Sequence, residues 1–186
     1  MNEFKKMIGG NTYDPADNDL LARRAFVRKK LEEFNQIESS KGDLRAEYIR
    51  ELFGSVGENP SVSSNFKCDY GTNIKVGKNF YTNYDCVILD CAEVTIGDNC
   101  LIGPQVGIYT ACHPLDPKER ASGKEFAKPI SLGHNCWIGG HATINPGVSL
   151  GDNVVVASGS VVTKSFGDNV VIGGNPARII KEIEST

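Results

Sequence analysis

The chain reads as a mainly β protein. Its expected form is a parallel β-helix of hexapeptide repeats, with a small N-terminal α-helical appendage and an excursion loop. Three observations lead there. From Leu132 to Val162 an aliphatic residue recurs at every sixth position: Leu132, Ile138, Ile144, Leu150, Val156 and Val162. Neither a helix (period 3.6) nor a strand (period 2) generates that spacing, whereas a chain wound in short flat strands places every sixth side chain in a narrow bore. The same rhythm returns in Ile96, Ile102 and Ile108, and in Val76, Thr82 and Ile88 with Tyr70 six residues earlier. Finally, Gly-x-Asn recurs at Gly77/Asn79, Gly97/Asn99, Gly133/Asn135, Gly151/Asn153 and Gly167/Asn169, with 36 residues from Gly97 to Gly133 and 18 from Gly133 to Gly151. Three hexapeptides therefore make one coil of triangular cross-section. Gly and Asn tolerate left-handed backbone angles and belong at its corners. The small residue directly after each aliphatic one (Gly133, Gly139, Asn145, Gly151, Ala157) is expected to let the backbone turn.

Residues 1–60 differ from the rest and are expected to form the helical appendage. Asp17 or Asp19 can cap a helix carrying Leu20, Val27, Leu31 and Phe34 at helical spacing. Ser39-Ser40-Lys41-Gly42 breaks it. Asp43 can cap a second helix with Leu44, Tyr48 and Leu52 on one stripe, ending at Gly54. Residues 61–186 form the β-helix domain, whose first coils run over 61–108. The rhythm then stops over about 109–131, where Pro114, Pro117, Pro129, Gly123 and several charges predict a loop rather than a strand. From Ile108 to Leu132 is 24 residues, a multiple of six, so the coil can resume in phase. Ile179, Ile180 and Ile183 near the C-terminus predict a short strand or helix that closes the tube.

A net charge of −3 gives no basic surface for nucleic acid. No apolar run is long enough to span a bilayer, and MNEFKKMIGG lacks the apolar core of a signal peptide, so a cytoplasmic protein is expected. The six cysteines (68, 86, 91, 100, 112, 136) show no CxxC and no zinc spacing. Several fall on or beside the repeat, which fits buried free thiols in a reducing compartment.

The chain has three histidines, His113, His134 and His141. His113 opens the excursion loop between Cys112 and Pro114, where an imidazole can serve as general base. On local sequence alone an exposed loop histidine is the stronger reading.

The segments NFYTNYDCVILD, IGDNCLIGPQV, YTACHPLDP, GHNCWIGG, INPGVSLGDNVVVASGSVVTK and GGNPARII resemble the maltose and galactoside O-acetyltransferases, which belong to the hexapeptide-repeat acyltransferases. KMIGGNTYDPAD resembles the helical appendage of the maltose enzymes. The resemblance spans nearly the whole chain. It implies left-handed winding, a homotrimer, and acetyl-CoA bound in the groove between neighbouring tubes, with a sugar as acceptor. It implies His113 as the base, and Asn83 as the residue that positions the acceptor. Asp69 corresponds to a second acceptor position, where the galactoside enzymes carry serine. Cys91, next to Asp90, stands where those enzymes use aspartate, a departure that leans toward the maltose type. For the acidic contact to the acceptor from the appendage, Asp17 and Asp14 are both candidates. Trp137 matches the aromatic beside the CoA arm. Gly140 matches the backbone position facing the thioester carbonyl, where an N–H can stabilise the oxyanion. Ser158, Thr163, Lys164, Arg178 and Lys181 match the CoA-contacting series, the cations suiting phosphates.

Three other functions compete. A zinc enzyme resembling the γ-class carbonic anhydrases would use three histidines, but His134 and His141 occupy different points of their repeats and their seven-residue separation does not match that family's pair. A β-helix that only binds a partner would need neither the loop histidine nor Trp137. An acetyltransferase for a non-sugar hydroxyl, such as serine or an antibiotic, stays closest. No metal is expected. Cys112 beside His113 invites a covalent acyl-enzyme, but neighbouring residues of an extended chain point to opposite faces, so direct transfer in a ternary complex is expected.

Overall fold

The computed structural model describes residues 1–184. Three parallel sheets form the walls of a triangular tube. The first face stacks Ser55–Val56, Ile74–Val76, Val94–Ile96, Ile130–Leu132 and Ser149–Leu150. The second stacks Ser61–Val62, Tyr81–Thr82, Leu101–Ile102, Trp137–Ile138, Val155–Val156 and Val170–Gly174, with Ala177–Glu182 added antiparallel at its edge. The third stacks Lys67–Cys68, Val87–Leu89, Gly107–Tyr109, Thr143–Ile144 and Val161–Val162. Partners lie one coil apart, as in Trp137 opposite Val155 and Ser131 opposite Ser149.

The sixfold aliphatic positions do fill the bore: Val76, Thr82, Ile88, Ile96, Ile102, Ile108, Leu132, Ile138, Ile144, Leu150, Val156 and Val162 are all buried. Tyr70 is the exception. The bore residue of its coil is Cys68, paired with Ile88, while Tyr70 has turned outward into a separate cluster with Met7, Tyr13, Leu20, Cys91, Ala92 and Ala127. A second inward position lies two residues before the first and is filled by Phe80, Cys86, Cys100, Val106, Cys136, Ala142, Val148 and Val154. All six cysteines are free thiols, and five are buried.

The corners differ from expectation in one respect. The residue that turns the backbone stands three places after the aliphatic, not directly after it: Asn79, Asn99, Asn135 and Asn153 take φ of 55–59°. These asparagines also form a ladder, each side-chain amide donating to the next, through Asn59, Asn79, Asn99, Asn135, Asn153 and Asn169 at 2.7–3.1 Å. The glycine directly after the aliphatic serves close stacking instead. A Cβ on Gly97 would stand 2.7 Å from the carbonyl carbon of Gly133, one coil away.

The appendage has three helices rather than two: α1 (Glu3–Ile8), α2 (Asn18–Gln36) and α3 (Gly42–Leu52). Asp17 caps α2, its Oδ1 accepting from the Asp19 and Leu20 N–H groups, and Leu20, Val27, Leu31 and Phe34 are its buried stripe. In α3 the expected stripe holds at Leu52, which is buried, and at Tyr48, which packs against the core, but fails at Leu44, which is exposed while Arg45 and Ile49 are buried; Asp43 lies inside the first turn. Arg45 is buried because its guanidinium donates to the carbonyls of Phe34, Ile37 and Val62, which ties α2, α3 and the second face together. The tube already begins at Ser55, which pairs with Lys75.

The excursion is more ordered than a loop. Ala111–Cys112 and Phe126–Ala127 form an antiparallel pair, and between them lies a short helix, α4 (Pro117–Ala121), capped by Asp116. The coil resumes at Ile130. The C-terminal segment is a strand along the edge of the second face, with Ile179 and Ile180 outside.

Candidate active site

Each coil has a corner from the first face to the second, one from the second to the third, and one from the third back to the first. This division sorts the functional candidates.

His113, Asp69, Thr163 and Lys164 lie on the third corner, and the start of α2 packs beside it. Thr110 roots the hairpin that carries His113. It is fully buried, and its Oγ1 accepts from Ala92 N–H at 2.9 Å and donates to the Leu89 carbonyl at 2.6 Å. Pro114 favours extended backbone at His113. The imidazole is exposed, and its Nε2 faces Glu125 Oε1 at 3.8 Å across the hairpin. Glu125 Oε2 accepts from the Tyr13 hydroxyl at 2.8 Å.

Asp69 stands one coil from Cys91, whose Sγ lies 3.7 Å from Asp69 Oδ2. Burial pushes the Asp69 carboxyl up, opposed by the Cys91 thiol and by the Arg24 and Arg28 guanidiniums. Burial likewise holds the Cys91 thiol at about 12, hence protonated. Asp90 sits beneath them, fully buried. Its Oδ1 accepts from the Asp69 and Tyr70 N–H groups at 2.9 Å, and its Oδ2 has no partner among the described residues. Of the two acidic candidates from the appendage, each has one oxygen engaged locally: Asp17 in the α2 cap, and Asp14 with Ala16 N–H at 2.9 Å. Burial raises the Cys112 thiol, opposed by nearby Lys128.

Asn83, Gly140 and Ser158 lie on the second corner. Asn83 Oδ1 accepts from Tyr84 N–H at 2.8 Å, which fixes the amide and leaves its nitrogen free to donate. Gly140 N–H has no acceptor among the described residues, as an oxyanion donor requires. Trp137 is 56% exposed on the adjoining second face, between Leu101 and Val155. Arg178 and Lys181 stand on the terminal strand of that face. Within one chain, then, the expected site residues form two groups separated by the width of the third face.

His134 and His141 lie on the first and second corners, so the three histidines occupy three different corners. Asp98 N–H donates to His134 Nδ1 at 2.9 Å, and His141 is a turn residue with φ 60°. Among the described residues there is no group of three or more His, Cys, Asp or Glu side chains able to hold a metal ion.

Sequence reasoning missed Arg24, Tyr13 and Glu125. Arg24 donates to the Tyr70 hydroxyl at 2.5 Å and to the Pro15 carbonyl at 2.6 Å, and so joins the appendage to this corner. All three lie outside the hexapeptide register, and only their partners across the fold mark them.

Comparison with known proteins agrees with the fold and the repeat. The maltose acetyltransferase hexapeptide capping motif matches residues 6–57, and the hexapeptide repeat of succinyl-transferase matches residues 93–108 and 129–164. Galactoside O-acetyltransferase of Escherichia coli K12 is 40% identical over 96% of this chain and 88% of its own. The crystal structure of a maltose O-acetyltransferase from Clostridium difficile 630 superposes with a TM-score of 0.98 at 46% identity, covering 100% of this chain and 99% of the other. A hexapeptide-repeat acetyltransferase of Vibrio cholerae O1 biovar eltor, complexed with acetyl coenzyme A, superposes with a TM-score of 0.89 at 37% identity over the whole of both chains. Fold and repeat define a hexapeptide-repeat β-helix acetyltransferase. Within that class the chain belongs to the maltose and galactoside O-acetyltransferase family.

Proposed function

We propose that this protein transfers an acetyl group from acetyl-CoA to a hydroxyl of maltose, glucose or a related saccharide, in the cytoplasm, as a homotrimer. The observation that carries the proposal is the separation of the two groups of site residues onto different corners. A second copy of the chain brings the Asn83–Gly140–Trp137 wall of one tube opposite the His113–Asp69 wall of its neighbour. The outer faces support such packing. The first face is polar, with a Lys75–Glu93 ion pair and a Ser131–Ser149 hydrogen bond. The second presents Tyr81, Leu101, Trp137, Val155 and Val171, and the third Val87, Leu89, Tyr109 and Val161. Two apolar faces per chain suit a closed ring of heterologous contacts.

In this reading acetyl-CoA lies along the cleft beside Trp137, with Ser158, Thr163, Lys164, Arg178 and Lys181 toward its pantetheine and phosphates. Asn83 and Asp69 hold the sugar, with Asp17 or Asp14 approaching from the appendage. The His113 imidazole takes the hydroxyl proton as the sugar oxygen attacks the thioester carbonyl. Gly140 N–H receives the negative charge that develops on the carbonyl oxygen. Collapse of the tetrahedral adduct breaks the carbon–sulfur bond, and the imidazolium returns its proton to the departing thiolate of CoA.

The test is a product screen with labelled acetyl-CoA against glucose, maltose, a thiogalactoside, serine and chloramphenicol. Labelled acetyl-sugar as the dominant product supports the proposal. Preferential acetylation of serine or chloramphenicol would move the acceptor to a non-sugar hydroxyl.

A further inference from the structure

We propose that Glu125 is a positioning residue that holds the His113 imidazole by its Nε2 edge, and that Tyr13 of the helical appendage holds Glu125 in turn. This rests on the reading of His113 as the general base.

His113 lacks a rigid seat of its own. It is 56% exposed at the side chain, on a hairpin of two residue pairs. Glu125 is better fixed. Its backbone exchanges two hydrogen bonds with Tyr13, at 2.9 and 3.1 Å, so the appendage adds a third rung to the hairpin. Its side chain is only 21% exposed and divides its oxygens: Oε2 accepts from the Tyr13 hydroxyl at 2.8 Å, and Oε1 faces His113 Nε2 at 3.8 Å. Tyr13 is 2% exposed, and burial raises its phenol far above the ordinary tyrosine range, so its O–H remains a donor. Beneath the pair, Met7, Leu20 and Ala127 fill the contact between appendage and hairpin.

Two other charged groups of the excursion have local partners of their own. Arg120 donates to the carbonyls of Pro114 and Leu115, and Asp116 caps α4 by accepting from Lys118 and Glu119 N–H. Glu125 is the carboxylate that faces the ring, at 3.8 Å. A carboxylate there favours the tautomer that carries its proton on Nε2, which leaves the Nδ1 lone pair to accept a proton. It also stabilises the imidazolium that forms when the acceptor hydroxyl is deprotonated. Through Tyr13 the appendage then contributes to turnover as well as to stability.

The test compares Glu125→Gln, Glu125→Asp, Tyr13→Phe and His113→Ala in the full-length protein. Glu125→Gln keeps an acceptor oxygen for Tyr13 but removes the charge, so kcat should fall by roughly 10- to 100-fold with little change in KM for acetyl-CoA. Glu125→Asp should recover part of that loss, and Tyr13→Phe should fall between the parent and Glu125→Gln. Ring ¹⁵N resonances give a readout that a merely structural role would not move. With only three histidines in the chain, His113→Ala identifies the His113 signals, which should report the Nε2–H tautomer in the parent and a mixture in Glu125→Gln. A kcat within about threefold of the parent in Glu125→Gln, beside an inactive His113→Ala, would overturn the positioning role alone. Lost activity with an unchanged tautomer would also overturn it. An active His113→Ala would remove the base reading and this inference together.

Discussion

Asp90 should make the protein less stable as pH rises, contrary to the usual behaviour of a carboxylate. Its side chain is fully buried, two backbone N–H groups hold Oδ1, and Oδ2 has no partner among the described residues. Burial outweighs the two hydrogen bonds and pushes the carboxyl up to about 6 from the ordinary 3.8. The folded state therefore binds a proton that the unfolded state has already released. The stability this confers is fully present below pH 3.8 and is lost as pH rises through about 6. A shift of about two units corresponds to roughly 3 kcal/mol. Asp90→Asn is the perturbation, because it keeps an oxygen for the Asp69 and Tyr70 N–H groups but cannot ionise. Any penalty for its buried NH₂ does not depend on pH. Denaturant unfolding of both proteins at fixed concentration, from pH 4 to 7.5, should show the parent losing stability relative to Asp90→Asn, most steeply around pH 4.5–5.5. Parallel stability curves, or a parent that gains on the variant with rising pH, would refute the reasoning.

The remaining predictions concern the coil and the chemistry. Asn135→Ala removes the side-chain hydrogen bonds to Asn99 and Asn153 and puts at φ 57° a residue that tolerates left-handed backbone less well than Asn, so it should cost about 1–3 kcal/mol; Asn135→Gly, which relieves the backbone, should cost less, and equal losses would deny the strain contribution. Ile144→Asp buries a carboxylate in the bore and should cost several kcal/mol, roughly the penalty for an unpaired buried charge; a parent-like melting temperature would contradict the packing. Under the proposed direct transfer, Cys112→Ser should keep most activity and initial-rate plots should intersect; parallel plots, or acetylated protein trapped without sugar, would reinstate a covalent intermediate.

The tube was legible because one physical demand repeats: every sixth side chain must fill a bore too narrow for anything but a compact apolar group. Ile144 and Val156 announce it without any tertiary information. The corner chemistry was half legible. Asn and Gly marked the corners, but that Asn135 turns the chain while Gly133 permits stacking depends on contacts one coil away. Tyr70 showed the limit of periodicity. It fits the count of six, yet two extra residues between Cys68 and Val76 carry it out of the bore. In α3, Leu44 and Arg45 exchanged expected places because three backbone carbonyls from other segments satisfy the guanidinium. For the candidate site, motifs point to His113 and Trp137, whereas Glu125 and Tyr13 meet only when the appendage folds back on the excursion.

The most direct test of the shared cleft is complementation between His113→Ala and Asn83→Ala subunits, each expected to be inactive alone. Differently tagged chains, co-expressed and purified through both tags, give trimers containing both variants. In a ring of heterologous contacts, any such trimer has one cleft in which an intact His113 wall meets an intact Asn83 wall, so activity should return to about one third of the parent value per trimer. Verified mixed trimers that stay inactive would contradict the account, since one chain would then supply both walls.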